Sequence, residues 1–231
     1  MIAEHIKKNY PNESCGLILK DDDMVIFLEN ISDNPAKSFK INPSELFPYL
    51  GQIKFIWHSH CVDSRRPTIY DARTPSLMDM EQQKLSGVPW LIYACDGSVV
   101  TDAIQIPRTP NNDYLNREFV WFVNDCYTLV QDYYHYELGI DLKEYVLHDY
   151  RDVRKSHAVF NDYINDYGFV ELKNLDDLQN GDLFIVDNSG FTENHLVIYH
   201  DGKLLHQGMI SCVEPFETYA GKFKKRLRYA G

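Results

Sequence analysis

The chain of 231 residues predicts an α+β fold in two domains. Three observations predict it. Two chemically unrelated sets of reactive residue types occupy separate halves of the chain. A polar stretch interrupted by Pro107 and Pro110 lies between them. In the second half a helix-like run comes before a series of strand-like runs, the order of an α+β domain. We place the domains at 1–105 and 117–231, with 106–116 as linker.

The elements follow in order. Residues 1–10 read as an amphipathic helix with Ile2 and Ile6 on one face, stopped near Pro11. Strand-like runs at 16–19 and 25–28 flank Asp21-Asp22-Asp23, a solvated hairpin turn to which we assign no function. Asn42-Pro43-Ser44-Glu45 is a helix start, 53–57 a buried strand, and Ser76 the N-cap of a helix running to Gly87. Segments 90–94 and 98–104 pair around Asp96-Gly97. The first domain thus mixes helices with a largely antiparallel sheet. Beyond the linker, 126–138 is helix-like and ends at Gly139, where a left-handed cap is expected. Strands are expected at 183–186, 195–199, 204–206 and 223–229.

Composition narrows the function. A formal charge of −11 and 44% hydrophobic residues suit globular cores and argue against a broad phosphate-binding face, so no nucleic-acid partner is expected. Five cysteines without framework spacing argue against a disulfide scaffold and for synthesis in a reducing compartment. The polar amino terminus is not expected to be a signal peptide, and no apolar run is long enough for membrane insertion.

In the first half, His58-Ser59-His60 ends a strand. Alternation places both imidazoles on one side, where they can chelate one ion while Ser59 points away. The order of a distant Glu13, then His58-x-His60, then Ser76-x-x-Asp79 resembles the JAMM/MPN+ family of zinc peptidases. That resemblance implies one Zn2+ held by His58, His60 and an aspartate, with Glu13 as general base and Ser76 as donor to the oxyanion. Two aspartates compete for the third position. Spacing after His60 favours Asp71; the helix cap at Ser76 and the family-like segment 85–93 favour Asp79, which we take, making the loop 61–74 an insertion. Cys61 stands where relatives usually have proline, and its thiolate would be able to close the open metal position.

In the second half, Cys126 opens a helix, where the dipole favours a thiolate, and His195 follows on a later strand. Asp125-Cys126-Tyr127-Thr128, Asn180-Gly181-Asp182-Leu183, Asn194-His195 and Leu205-His206 together resemble the NlpC/P60 cysteine peptidases, whose fold is papain-like with the catalytic helix packed on an antiparallel sheet. The resemblance implies Cys126 as nucleophile, His195 as base, His206 as the group orienting it, and the Cys126 amide in the oxyanion hole. Tyr127 stands where many members have Ser or Gly. Cys15, Cys95 and Cys212 read as small core residues, and His135, His148, His157 and His200 as surface residues.

A JAMM domain followed by an NlpC/P60 domain resembles the tail-tip assembly proteins of lambda-like siphophages. The pairing implies a virion protein made in host cytoplasm, with other tail-tip proteins and peptidoglycan stem peptides as partners. It would cleave the cell wall as an endopeptidase and ease genome passage. The alternative is a structural tail-tip module with one or both sites inactive. A cellular deubiquitinase-like hydrolase would account for the first half alone.

Overall fold

Ile2 and Ile6 lie one turn apart and form the apolar face of α1 (Ile2–Asn9), which buries Ile6 in a cluster with Trp57 and Cys95. The computed structural model describes residues 1–144, 167–174, 176–186, 195–219 and 221–231. These fall into two compact units, Met1–Thr109 and Pro110–Gly231, in an α+β architecture with one sheet in each.

In the first unit, β1 (Cys15–Leu19) turns through Asp22 and Asp23, both at positive φ, into β2 (Val25–Leu28). A short α2 (Pro43–Leu46), N-capped by Asn42, precedes β3 (Ile53–Cys61). The loop after β3 contains a single helical turn, α3 (Ile69–Ala72), and then α4 (Leu77–Ser86), which ends at the left-handed Gly87. β4 (Trp90–Cys95) and β5 (Ile104–Ile106) complete the sheet in the order β2-β1-β3-β4-β5. All its pairings are antiparallel except β3 with β4. The hairpin expected from 98–104 is smaller than its turn signal: Cys95 and Val100 make a single bridge, and β5 begins only at Ile104.

Gly16 makes the β1–β3 pairing possible. A Cβ there would stand 2.1 Å from the Ile26 carbonyl oxygen and 2.7 Å from the Trp57 ring, so any larger residue would push Trp57 out of the core. The register sets Cys15 opposite His58, which brings Glu13 to the end of β3 that carries the two histidines.

The expected linker is not a free segment. Ile106 closes β5 and is fully buried, while Asn111 and Asp113 are gripped by Arg117 within the second unit. Arg117 also meets the buried Asp132 carboxylate at 2.6 Å. Polar composition and two prolines marked it as linker; the hydrogen bonds of one guanidinium tie its later residues into the second unit.

In the second unit, Asp125 caps α5 (Cys126–Tyr133), which passes into a π-helical turn, Tyr134–Leu138, before Gly139 at φ 67°. The sheet order is β10-β9-β8-β7-β11-β6, antiparallel throughout. Its strands are β6 (Phe169–Leu172), β7 (Leu183–Val186), β8 (His195–His200), β9 (Lys203–Gln207), β10 (Ser211–Pro215) and β11 (Phe223–Tyr229). The edge strands β6 and β10 were not expected: each buries only its first residue and carries a single β-branched one. α5 packs across β8 and β9, which fixes Cys126 against the strands bearing the histidines. Asp182, only 1% exposed, accepts from Arg226 and Arg228 and ties β7 to β11.

Candidate functional site

In the first unit, strand alternation puts His58 and His60 on one face of β3, and their Nε2 atoms lie 3.0 Å apart. Asp79 joins them from the first turn of α4, with Oδ1 3.3 Å from His58 Nε2 and Oδ2 3.2 Å from His60 Nε2. The capping box places that carboxylate: Asp79 N–H donates to Ser76 Oγ at 3.1 Å, and Ser76 N–H donates back to Asp79 Oδ2 at 2.6 Å. Asp71 is elsewhere, accepting from the Thr68 hydroxyl at 2.6 Å within α3. His58, His60 and Asp79 are the group that the fold brings together, and Asp71 is not part of it.

The donor set fits a zinc-class ion. Tetrahedral bonds of about 2.0–2.1 Å imply ligand separations of about 3.3 Å; the two imidazole nitrogens stand 3.0 Å apart and each meets one Asp79 oxygen at 3.2–3.3 Å. Burial, then Arg66, lowers His60 to about 4, so it is a neutral imidazole. Its Nδ1–H donates to the Ala72 carbonyl at 2.9 Å, which leaves the Nε2 lone pair facing the cluster. Burial pushes Asp79 up, but the two imidazoles outweigh it and hold the group well below the usual carboxylate range. His58 is fixed by packing instead, its ring stacked on Phe39 at 4.3 Å, and its Nδ1 meets no partner among the described residues.

Glu13 is 3% exposed, and burial raises it to about 7 against the opposing pull of His58 and Arg66. A carboxyl at that value can hold or release a proton near neutrality. It opens onto a cavity of about 850 Å³ lined also by Ser76, Asp79, His60, Arg66 and Trp90. Arg66, which we did not single out from the sequence, stands 3.6 Å from Glu13 and 3.5 Å from His60 Nε2. Its only sequence signal is the Arg65-Arg66 pair in an otherwise unassigned loop. Cys61 is not a ligand in this arrangement. It alternates to the opposite face of β3 from His60, and burial pushes its thiol up to about 12.

In the second unit, Cys126 is the first residue of α5, and the carboxylate of Asp125 accepts from the amides of Tyr127, Thr128 and Phe122. Phe122 holds φ 66°, a costly conformation for a bulky residue that wraps the chain around that carboxylate. The helix terminus does not win the contest over the thiol. Burial first and Asp125 second push Cys126 up to about 12, against the pull of the Leu196, Cys126 and Tyr127 amides. His195 is lowered to about 3, again mainly by burial, with His206 adding to it. Burial thus works against charge on both groups, opposing the thiolate that the helix dipole favours.

His195 Nε2 faces His206 Nδ1 at 3.2 Å, with the rings 85° apart. Val197 pairs with His206 between β8 and β9, so His195, two residues earlier, lies on the same face as its diagonal neighbour. The contact occupies Nε2 of His195 and leaves Nδ1 as its other ring nitrogen. On its far side, His206 Nε2 meets Glu214 Oε2 at 3.2 Å, the Tyr219 hydroxyl at 3.3 Å and Cys212 Sγ at 3.4 Å. Cys212 is therefore not the core residue expected of it: it is half-buried and points at a histidine. None of these three partners was foreseen, because β10 was not. Tyr127 is buried, and its hydroxyl donates to the Lys143 carbonyl at 2.9 Å. His135 and His200 are half-exposed, bonding Asp141 and Tyr133. Asn194, His148 and His157 lie outside the described residues.

Two comparisons bear on these sites. The family model described as NlpC/P60 matches residues 105–230, more than half of the chain and almost all of the second unit. Tail tip assembly protein K of Escherichia phage N15 is 27% identical over 233 aligned residues, covering 97% of this chain and 89% of that protein. No helix among the described residues is long and apolar enough to cross a membrane.

Proposed function

The chain belongs to the NlpC/P60 family, and on that premise we propose that its second unit is a cysteine peptidase acting on the stem peptides of peptidoglycan. Cys126 is the nucleophile, His195 the base and His206 the positioning residue. As Cys126 Sγ attacks the scissile carbonyl, its proton passes to His195 Nδ1 and then to the leaving amine. Water afterwards hydrolyses the thioester. The imidazolium formed on His195 donates from Nε2 to His206 Nδ1, and His206 Nε2–H donates to the Glu214 carboxylate. The observation that carries this reading is the 3.2 Å contact between His195 and His206, which selects the reactive nitrogen.

For the first unit we propose a zinc peptidase site of the JAMM type, with His58, His60 and Asp79 as ligands. A bound Zn2+ supplies Lewis acidity at that point. Glu13 takes and returns a proton at its carboxylate, and the Ser76 hydroxyl donates toward the oxyanion.

The relative from phage N15 is named as a tail tip assembly protein, and its near full-length similarity supports a role for this chain in a phage tail tip. There it would join other tail proteins and open the wall locally for genome passage. A second reading is assembly without catalysis, in line with the printed name of the phage N15 relative.

Purified sacculi digested with wild-type chain, Cys126→Ala, and His58→Ala/His60→Ala, with the fragments identified by mass spectrometry, test both readings. Fragments that vanish only with Cys126 support the murein peptidase. If no form releases fragments and phage carrying Cys126→Ala infect normally, the assembly reading replaces it.

A further inference from the structure

We propose that His206, Cys212 and Glu214 form a second, inhibitory zinc-class metal site directly behind the catalytic histidines. The regulatory half of this proposal rests on the cysteine peptidase reading; the site itself does not.

A single ring nitrogen has one proton or one lone pair, so it can satisfy only one ordinary hydrogen bond. His206 Nε2 is instead approached by a thiol at 3.4 Å, a carboxylate at 3.2 Å and a hydroxyl at 3.3 Å. Around an ion with metal–nitrogen bonds of about 2.0–2.1 Å and metal–sulfur bonds of about 2.3 Å, tetrahedral neighbours stand about 3.3–3.6 Å apart. The distances from Nε2 match such separations, and the donor atoms of His206, Cys212 and Glu214 all lie within 4.8 Å of one another.

The fold makes this convergence rigid. Cys212 is directly opposite His206 in the β9–β10 ladder, and Glu214 follows two residues later on the same face. Mixed nitrogen, sulfur and oxygen donors select a borderline-soft ion such as Zn2+ over Ca2+ or Mg2+. Cys212 is half-buried and the Glu214 side chain is 36% exposed, so an ion can reach the site from solvent. Coordination displaces the Cys212 proton to solvent.

Occupancy would oppose catalysis. An ion on Nε2 forces the His206 proton onto Nδ1, where it points at His195 Nε2. The imidazolium of His195 would then face another N–H, with a cation behind it, instead of an acceptor. His206 could no longer support the protonated state of His195 that the nucleophilic step requires.

Cobalt spectroscopy on the full-length Cys126→Ala chain tests the site, because the first unit's ligands contain no sulfur. Titration with Co2+ should produce a saturable thiolate-to-cobalt charge-transfer band that Zn2+ abolishes and that Cys126→Ala/Cys212→Ser lacks. No band in Cys126→Ala, or a band that survives Cys212→Ser, overturns the site. With Cys126 intact, Zn2+ should suppress sacculus digestion by the wild type, while Cys212→Ala, compared with its own metal-free rate, loses that inhibition. Equal inhibition of both overturns the regulatory role. If no form digests sacculi, the peptidase reading fails and the cobalt band still decides the metal site.

Discussion

His195 and His206 face each other through Nε2 and Nδ1 at 3.2 Å with their rings nearly perpendicular, so each imidazole determines which nitrogen the other can use. Five expectations follow from this pair, from the groups packed around the two sites and from Arg117.

Replacing His206 should damage the rate and not the affinity. His206→Ala removes the acceptor for His195 Nε2–H, and we expect kcat to fall by about 10²-fold with KM nearly unchanged. His206→Asn, which keeps a polar acceptor, should recover part of that loss. The pH profile of kcat on a stem-peptide substrate should shift, which separates this from a folding defect that would lower the active fraction and leave the profile in place.

Cys126 should resist alkylation in the resting protein. With its thiol pushed up to about 12, little thiolate exists near neutrality, and labelling by iodoacetamide should keep accelerating into the alkaline range. Fast labelling that is flat across neutral pH would mean a preformed thiolate–imidazolium pair instead.

The second unit should lose stability in acid. Burial holds His195 at about 3, whereas an unfolded histidine titrates near 6.5, so below that value the unfolded chain binds a proton that the folded chain does not. Stability from this group is complete above about pH 6.5 and falls by about 1.4 kcal/mol per pH unit toward about pH 3. Asp182 adds to the same trend: burial raises it, but the hydrogen bonds from Arg228 and Arg226 win and hold it low. Denaturant melts of wild type and His195→Asn across this range should show a shallower pH slope in the variant.

Metal content should distinguish the two aspartates. Asp79→Asn should lose Zn2+ retained by the wild type on elemental analysis, and Asp71→Asn should keep it. A wild-type chain purified without chelator that holds no zinc would remove the zinc proposal.

Arg117 should matter for stability and not for chemistry. Its guanidinium is 7% exposed and holds Asp132 at 2.6 Å, so Arg117→Met strips a buried carboxylate of its cation. We expect about 3–5 kcal/mol of destabilisation, measured by denaturant unfolding.

What could be read from the sequence was local. Alternation around Ser59 put His58 and His60 on one face, Ser76 announced its own helix, and Asp125 announced the helix that begins at Cys126. These features depend on backbone periodicity and on hydrogen bonds between residues three or four apart, which a linear chain displays. The tertiary structure decided the rest. That Asp79 and not Asp71 lies against the two histidines follows from where the first turn of α4 sits, and the nearness of Arg66 to Glu13 from the path of a loop. The ring of groups around His206 depends on β10, an edge strand with no strong pattern of its own. Even the state of Cys126 was decided by burial, because the cost of desolvating a charge grows with everything packed around it, and no helix terminus in the sequence reveals that environment.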